Sequence, residues 1–443
     1  MGKTSFFKIY YIVIPVLTLG ITMGYTTFAM ALVALVPILF LTTRHTVGLF
    51  FVMYGGVFGG VIRTMYPAIP IYGLLLMFIG LLLLRDVIRE LFQNNSRIIL
   101  LLVLTLILFG FFYLIGPRDE FSSDKYLKMC INGFFTLVGY YALARSEKIK
   151  AEELASLLIL VAICMMTFVI NQYSFVRGGL FDFNWFREQC VQYDYEAYRN
   201  EHDSMLIGYQ NVGMTALYGC AIYLSQIKLK TANTCFYIVF ILLIVLTTGC
   251  RQALLGVAVV LFLRYAVFRL DSPTGNSFNR LIWIVIGAVV LSFSIDFLAS
   301  YSDVVSRTLS DGDAGRYLHY AIALVIFKNS PIVGAGIGGF HAFADLPWPH
   351  NFFLELLCEC GIIGTVLFLG ILIVVLVKNK VKLLTINSSN MFFFLVLIAL
   401  LVRVMVSSDF RESIELFTAV FAVTATSNMA RNNLLEVRKP KRK

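Results

Sequence analysis

Residues 98–115 read IILLLVLTLILFGFFYLI, and no charge interrupts them. Wound as an α-helix at 1.5 Å per residue, such a run is about 27 Å long, close to the depth of a bilayer's hydrocarbon core. It is therefore read as a membrane-spanning helix. The chain around it has the same character: of its 443 residues 59% are hydrophobic and 14% charged, with a mean hydropathy of +0.82. A water-soluble fold cannot cover that much apolar surface, so most of the chain is solvated by lipid. Working outward from 98–115, about fourteen spans emerge. They are 8–23, 26–42, 47–62, 67–84, 98–115, 127–144, 154–171, 207–225, 234–249, 252–268, 281–298, 351–377, 391–408 and 413–430. The expected fold is an all-α, polytopic transmembrane bundle, one membrane domain over residues 1–443, with a mostly helical outer loop carrying the site.

Short loops rich in Lys and Arg stay cytoplasmic. Lys3 and Lys8, Arg85 and Arg89, Arg145 with Lys148 and Lys150, Lys228 with Lys230, Arg269 with Arg280, and Lys378, Lys380 and Lys382 share one side of a fourteen-span chain. The basic tail RKPKRK joins them, so both termini are expected in the cytoplasm. The N-terminal segment lacks a small-residue cleavage site and is read as a retained first helix. The net charge of +10 follows from this topology and from contact with anionic lipid, and gives no reason to expect a nucleic-acid partner. Two longer loops, 172–206 and 299–350, fall outside and hold most of the polar chemistry.

Several signals are uninformative. Of eight cysteines only Cys190 lies clearly in an outer loop, so no disulfide framework follows. The CEC at 358–360 lacks metal-ligand spacing. The GAGIGG at 334–339 follows no strand and opens no βαβ unit, which excludes a dinucleotide fingerprint.

The cations are more telling. Outside, about ten arginines stand against Lys125, Lys128 and Lys328. Positive-inside bias alone could move lysines inward; alternatively, a planar guanidinium grips phosphate with two parallel bonds where an ammonium cannot. Arg251 follows LTTGC at a span boundary, where a charge is costly unless paired or functional; its bland alternative is a snorkelling anchor. Arg316 precedes Tyr317, Ala321, Leu324 and Phe327, whose spacing predicts an amphipathic helix against the membrane; an ion pair with Asp311 or Asp313 is its alternative. Tyr, Trp and Phe crowd loop 172–206 among Arg177, Asp182 and Arg187. Trp185 and its neighbours suit stacking on sugar rings as well as a membrane-interface belt.

Three stretches in this order resemble signature blocks of a known superfamily: TTGCRQALLG (247–256), GRYLHYAIALVIFKNSPIVGAGIGGF (315–340) and PHNFFLELLCECGIIG (349–364). Together they span the region 247–364 and look like those of the O-antigen ligases and Wzy-type O-antigen polymerases. Arg251, Arg316, Pro331, Gly334, Gly336, His350, Asn351, Glu355 and Gly361 fill the family's places, while Cys250 stands where Ser is usual. The resemblance implies an inverting, metal-independent GT-C-type glycosyltransferase without cofactor. It would sit in a bacterial inner membrane with its active site facing the periplasm. Its donor would be an undecaprenyl diphosphate-linked oligosaccharide, its surroundings membrane lipid, and a chain-length regulator is a candidate partner.

On that reading Arg251 and Arg316 bind the diphosphate and His350 is the catalytic base, because neutral imidazole accepts a proton near ambient pH. An interfacial or helix-capping His350 is the plainer alternative, and a weaker variant has His350 only bind the diphosphate or orient the acceptor. Asn351, Glu355 and Glu359 recur every four residues on one helix face, with Glu355 expected to hold an arginine fork or to form a structural ion pair. Gly334 and Gly336 permit a tight turn and could also turn N–H groups toward phosphate. A repeat-unit polymerase leads, with the ligase that joins polymer to lipid A-core as its rival. A transporter or flippase would instead gather ionisable residues at the bilayer midplane.

Overall fold

The computed structural model describes residues 43–65, 72–145, 151–176, 185–199, 208–225, 231–268, 314–344, 346–384, 388–407 and 410–437. Every regular element among them is a helix. In chain order these are α1 (Arg44–Met65), α2 (Tyr72–Leu83), α3 (Arg85–Asn94), α4 (Ser96–Ile115), α5 (Glu120–Arg145), α6 (Ala151–Gln172), α7 (Trp185–Arg199) and α8 (Tyr209–Leu224). There follow α9 (Thr231–Thr248), α10 (Arg251–Phe262, continued by a π-helical turn Leu263–Phe268), α11 (Ala314–Asn329), α12 (Gly339–Ala344), α13 (Phe352–Leu384), α14 (Ser388–Ser407) and α15 (Phe410–Val437).

The all-helical membrane-type fold expected from hydropathy is the one observed. Among the described residues four segments, Ser96–Ile115, Glu120–Ala144, Glu153–Ile170 and Phe352–Asn379, are long and apolar enough to cross a bilayer. The expected spans 8–23, 26–42 and 281–298, together with Arg177 and Asp182, lie outside the described residues. Hydropathy did not resolve α3, a short amphipathic helix that buries Val87 and Leu91. It also started α5 too late. The Asp119 carboxylate accepts the Ser122 N–H at 2.7 Å and the Ser122 hydroxyl at 2.5 Å, so the helix is capped a turn and more before its apolar stretch.

Backbone contacts divide the chain into two compact units. One comprises Met1–Val47, Tyr54–Leu76 and Ile149–Gly312; the other comprises Gly48–Met53, Met77–Lys148 and Asp313–Lys443. In the first unit α6, α8 and α10 pack through small residues: Gly213 meets Cys250, Gly219 meets Ile159, and Gly256 meets Leu217. Small residues let helix backbones approach where lipid supplies no hydrophobic drive. In the second unit α4, α13 and α15 meet at an aromatic core. Phe109 stacks on Phe368 at 3.9 Å, Phe417 lies edge-on to Phe368 at 5.9 Å, and Phe352 packs edge-on to Phe410 at 6.0 Å.

Helix α13 is broken at Gly361, whose φ of 62° and ψ of −168° leave the helical region. The turn 331–338 fills the break with its own backbone. Ile362 and Ile363 donate to the carbonyls of Pro331 and Ile332, while the carbonyls of Cys358 and Glu359 accept from Ala335 and Gly336 at 2.9 and 2.8 Å. The exchange satisfies groups that a broken helix would otherwise leave bare in lipid. Gly336 must be glycine: its φ is 78°, and a Cβ there would lie 2.2 Å from the Gly116 Cα at the end of α4.

Candidate active site

The second unit assembles a polar cluster where α13 begins. Asn351 is the N-cap of α13: its Oδ1 accepts the N–H groups of Phe353 and Leu354 at 3.0 and 3.1 Å. Its Nδ2 donates to the Met405 carbonyl at 3.0 Å, tying the cap to α14. His350 stands just before this cap with φ at 56°, a left-handed conformation that costs a non-glycine residue energy and often marks a functional position.

The tautomer of His350 follows from its neighbour. Trp348 Nε1 donates to His350 Nδ1 at 3.1 Å. An indole nitrogen can only donate, so this Nδ1 is unprotonated and the proton of the neutral ring sits on Nε2. On α11, His319 presents Nδ1 to the Trp348 carbonyl at 3.1 Å, and a carbonyl can only accept. The neutral His319 ring therefore holds its proton on Nδ1 and its lone pair on Nε2. The two rings lie 5.0 Å apart between centroids. Side by side, one histidine offers a donor and the other an acceptor.

Trp348 is held in place from its other side. The Arg411 guanidinium lies 5.4 Å from the Trp348 ring centre and 5.5 Å from that of Phe121, and its Nη1 is 3.6 Å from Asp124 Oδ2. Phe121 stacks on His341 at 4.0 Å. Asp119 sits nearby outside the helices. Burial works to raise its pKa, but the Ser122 hydroxyl and N–H together with the charge of His341 outweigh it and hold the carboxyl below the usual value.

Beneath His350 lies a buried ion cluster. Lys125 Nζ, on α5, donates to Glu355 Oε1 at 2.6 Å and to Glu359 Oε1 and Oε2 at 3.0 and 2.9 Å. All three side chains are fully buried. Lys125 also sits 4.9 Å from the centre of the Phe410 ring, and Glu359 accepts the Phe340 N–H at 3.4 Å. One ammonium thus joins α5, α13 and α15. Of the two roles read from the sequence for Glu355, its pairing with this lysine fits the structural ion pair and not the arginine fork.

The other expected site residues distribute as follows. Gly334 and Gly336 lie in the turn that invades α13; the N–H of Gly334 donates to Ser330 and that of Gly336 to Glu359. Arg251 opens α10 in the first unit, and Arg316 lies in the first turn of α11 in the second; their side chains are outside the described residues. Helical register sets Arg316 one turn before His319. All three signature blocks thus bring their charged or titratable residue to the start of a helix, where the backbone carries partial positive charge. Trp185 is buried at 2% exposure, edge-on to Phe186, and its Nε1 meets no acceptor among the described residues. The Arg187 guanidinium is 5.7 Å from the Tyr209 ring centre. The aromatic residues of this loop pack on one another, as in Tyr173 with Tyr193 at 4.3 Å.

Sequence reading missed His319, Arg411 and Lys125. The signal for Lys125 was available: two carboxylates four residues apart in an apolar helix need a cation.

Residues 236–369 match the family model described as O-antigen ligase, a match over somewhat less than a third of the chain. It contains Arg251, Arg316, the glycine turn, His350, Asn351 and Glu355, and it supports the superfamily read from the three blocks. No curated protein matches the chain.

Proposed function

We propose that this membrane protein transfers a glycan from an undecaprenyl diphosphate carrier to a sugar hydroxyl at the outer membrane face, as a repeat-unit polymerase of O-antigen or a related surface polysaccharide. The observation that carries the reading is the His319–Trp348–His350 cluster at the head of α13, inside the segment that matches O-antigen ligase. Attack by the acceptor hydroxyl on the anomeric carbon forms the new glycosidic bond and breaks the bond to the diphosphate, which leaves with its lipid. Inversion follows from a single displacement. Two demands arise: the hydroxyl proton needs an acceptor, and the growing charge on the diphosphate needs donors.

The hydrogen bonds of the cluster divide these tasks. His319 Nε2 carries a lone pair and suits the base. His350 Nε2–H suits donation to the departing diphosphate, alongside the charge of Arg316 one turn before His319 in the same unit. Sequence reading gave His350 the base role; its bond from Trp348 favours the donor role within the same catalytic pair. No step in this scheme calls on a metal.

Ionisable residues near the midplane would favour a transporter. Glu355 and Glu359 instead occupy the first turns of α13, at the His350 end of the membrane-length segment Phe352–Asn379, which supports the enzyme.

The test uses purified chain with a defined diphosphate-linked donor, with and without chelator. His319→Gln should slow transfer by about 10²–10⁴ while donor binding persists, the usual worth of positioned proton transfer. His350→Gln should weaken donor binding as well. The opposite pattern would return the base role to His350, and a divalent-metal requirement would overturn the metal-free scheme. Deleting the gene separates the two relatives. Core capped by a single repeat unit supports the polymerase, whereas bare core with polymer stranded on its carrier identifies a ligase.

A further inference from the structure

At the opposite end of α4 and α13 from His350, Arg97 and Lys378 line one cavity of about 710 Å3. Helix α4 is 20 residues long, so about 30 Å separates its first residue from Gly116, which touches the glycine turn beside the site. The cavity and the histidine cluster therefore lie about a bilayer's depth apart.

The lining follows helical spacing. On α4, Arg97, Leu100, Leu101 and Leu104 fall at i, i+3, i+4 and i+7, one face of the helix. On α13, Val374 lies four residues before Lys378 on the facing wall. Each cation thus stands at one end of an apolar furrow roughly 10 Å deep, the rise of seven helical residues. The furrow is uncovered by protein: Leu100, Leu104 and Val374 are 57%, 50% and 50% exposed.

No acidic side chain lines the cavity, and neither Arg97 nor Lys378 has an ion-pair partner among the described residues. Asn95, also in the lining, precedes α4 without a side-chain cap, and its amide nitrogen donates to the Tyr141 hydroxyl at 2.8 Å. Two cations at the mouth and bare leucines within match a molecule with an anionic head and hydrocarbon tails. A soluble anion would leave the furrow empty, and a zwitterionic lipid would bring an ammonium into a site without a carboxylate.

We infer that this cavity binds one anionic glycerophospholipid, its phosphate held between Arg97 and Lys378 and its acyl chains laid along Leu100, Leu104 and Val374. The inference is independent of the transfer chemistry. Generic anchoring to bulk headgroups would need no cavity and would show no stoichiometric ligand.

The full-length chain, purified in a neutral detergent, is titrated with phosphatidylglycerol, with phosphatidylcholine and with inorganic phosphate, bound lipid being counted by native mass spectrometry. One phosphatidylglycerol per chain should bind in preference to phosphatidylcholine. Arg97→Gln with Lys378→Gln should weaken that binding roughly 30-fold, since each basic residue beside an anionic lipid is worth about a factor of five. Phosphatidylcholine binding and thermal unfolding without lipid should not change, because both side chains are exposed. Equal retention of the two lipids, or a double variant that holds phosphatidylglycerol like the parent, would overturn the site. Displacement of the lipid by millimolar inorganic phosphate would make it a free-anion site and would equally overturn the inference.

Discussion

Replacing Lys125 by Met removes one positive charge from a place that water does not reach. Its Nζ lies 2.6 Å from Glu355 and 2.9 Å from Glu359, and all three side chains are fully buried. The two carboxylates would then face each other in a low-dielectric interior. Breaking a buried ion pair by removing one partner costs about 3–5 kcal/mol, because the partner's charge is left uncompensated. Native proteins are stable by only about 5–15 kcal/mol, so the loss is a large share of the whole. Thermal unfolding of the purified chain in detergent is the assay, and Lys125→Met should unfold at a clearly lower temperature than the parent. Adding Glu355→Gln and Glu359→Gln should restore most of the loss, since amides need no counter-charge. The restored variant also separates stability from chemistry: it should regain glycan transfer if the cluster only positions α13 under His350. A Lys125→Met protein as stable as the parent would refute the electrostatic account.

Gly361→Ala should destabilise the break in α13 by more than 1 kcal/mol, because φ is 62° and the added Cβ would lie 2.4 Å from the Ile332 carbonyl oxygen; thermal unfolding and the yield of folded protein in the membrane measure it. Asn351→Ala removes an N-cap and the tether to Met405, for a loss of about 1–2 kcal/mol, with Asn351→Asp keeping the cap alone. Asp119 has a lowered pKa, so its stabilisation is fully present above the usual carboxylate range and disappears as pH falls through the lowered value. Unfolding temperatures measured from neutral to strongly acidic pH should therefore converge for the parent and Asp119→Asn at the acid end.

The amino-acid sequence by itself determined the all-helical membrane fold. Uninterrupted apolar runs such as 98–115 declare a lipid-solvated helix through their own length, whatever they pack against. It also determined the three blocks and the helical register of Asn351, Glu355 and Glu359, since spacing along one helix is a local property. Tertiary structure decided what depends on a partner far away in the chain. Glu355 meets a lysine 230 residues distant. The turn 331–338 enters the break at Gly361. The proton on His350 is set by the indole of Trp348, which Arg411 steadies from another helix. A titratable ring becomes donor or acceptor according to what its second nitrogen faces, and only the packed chain supplies that neighbour.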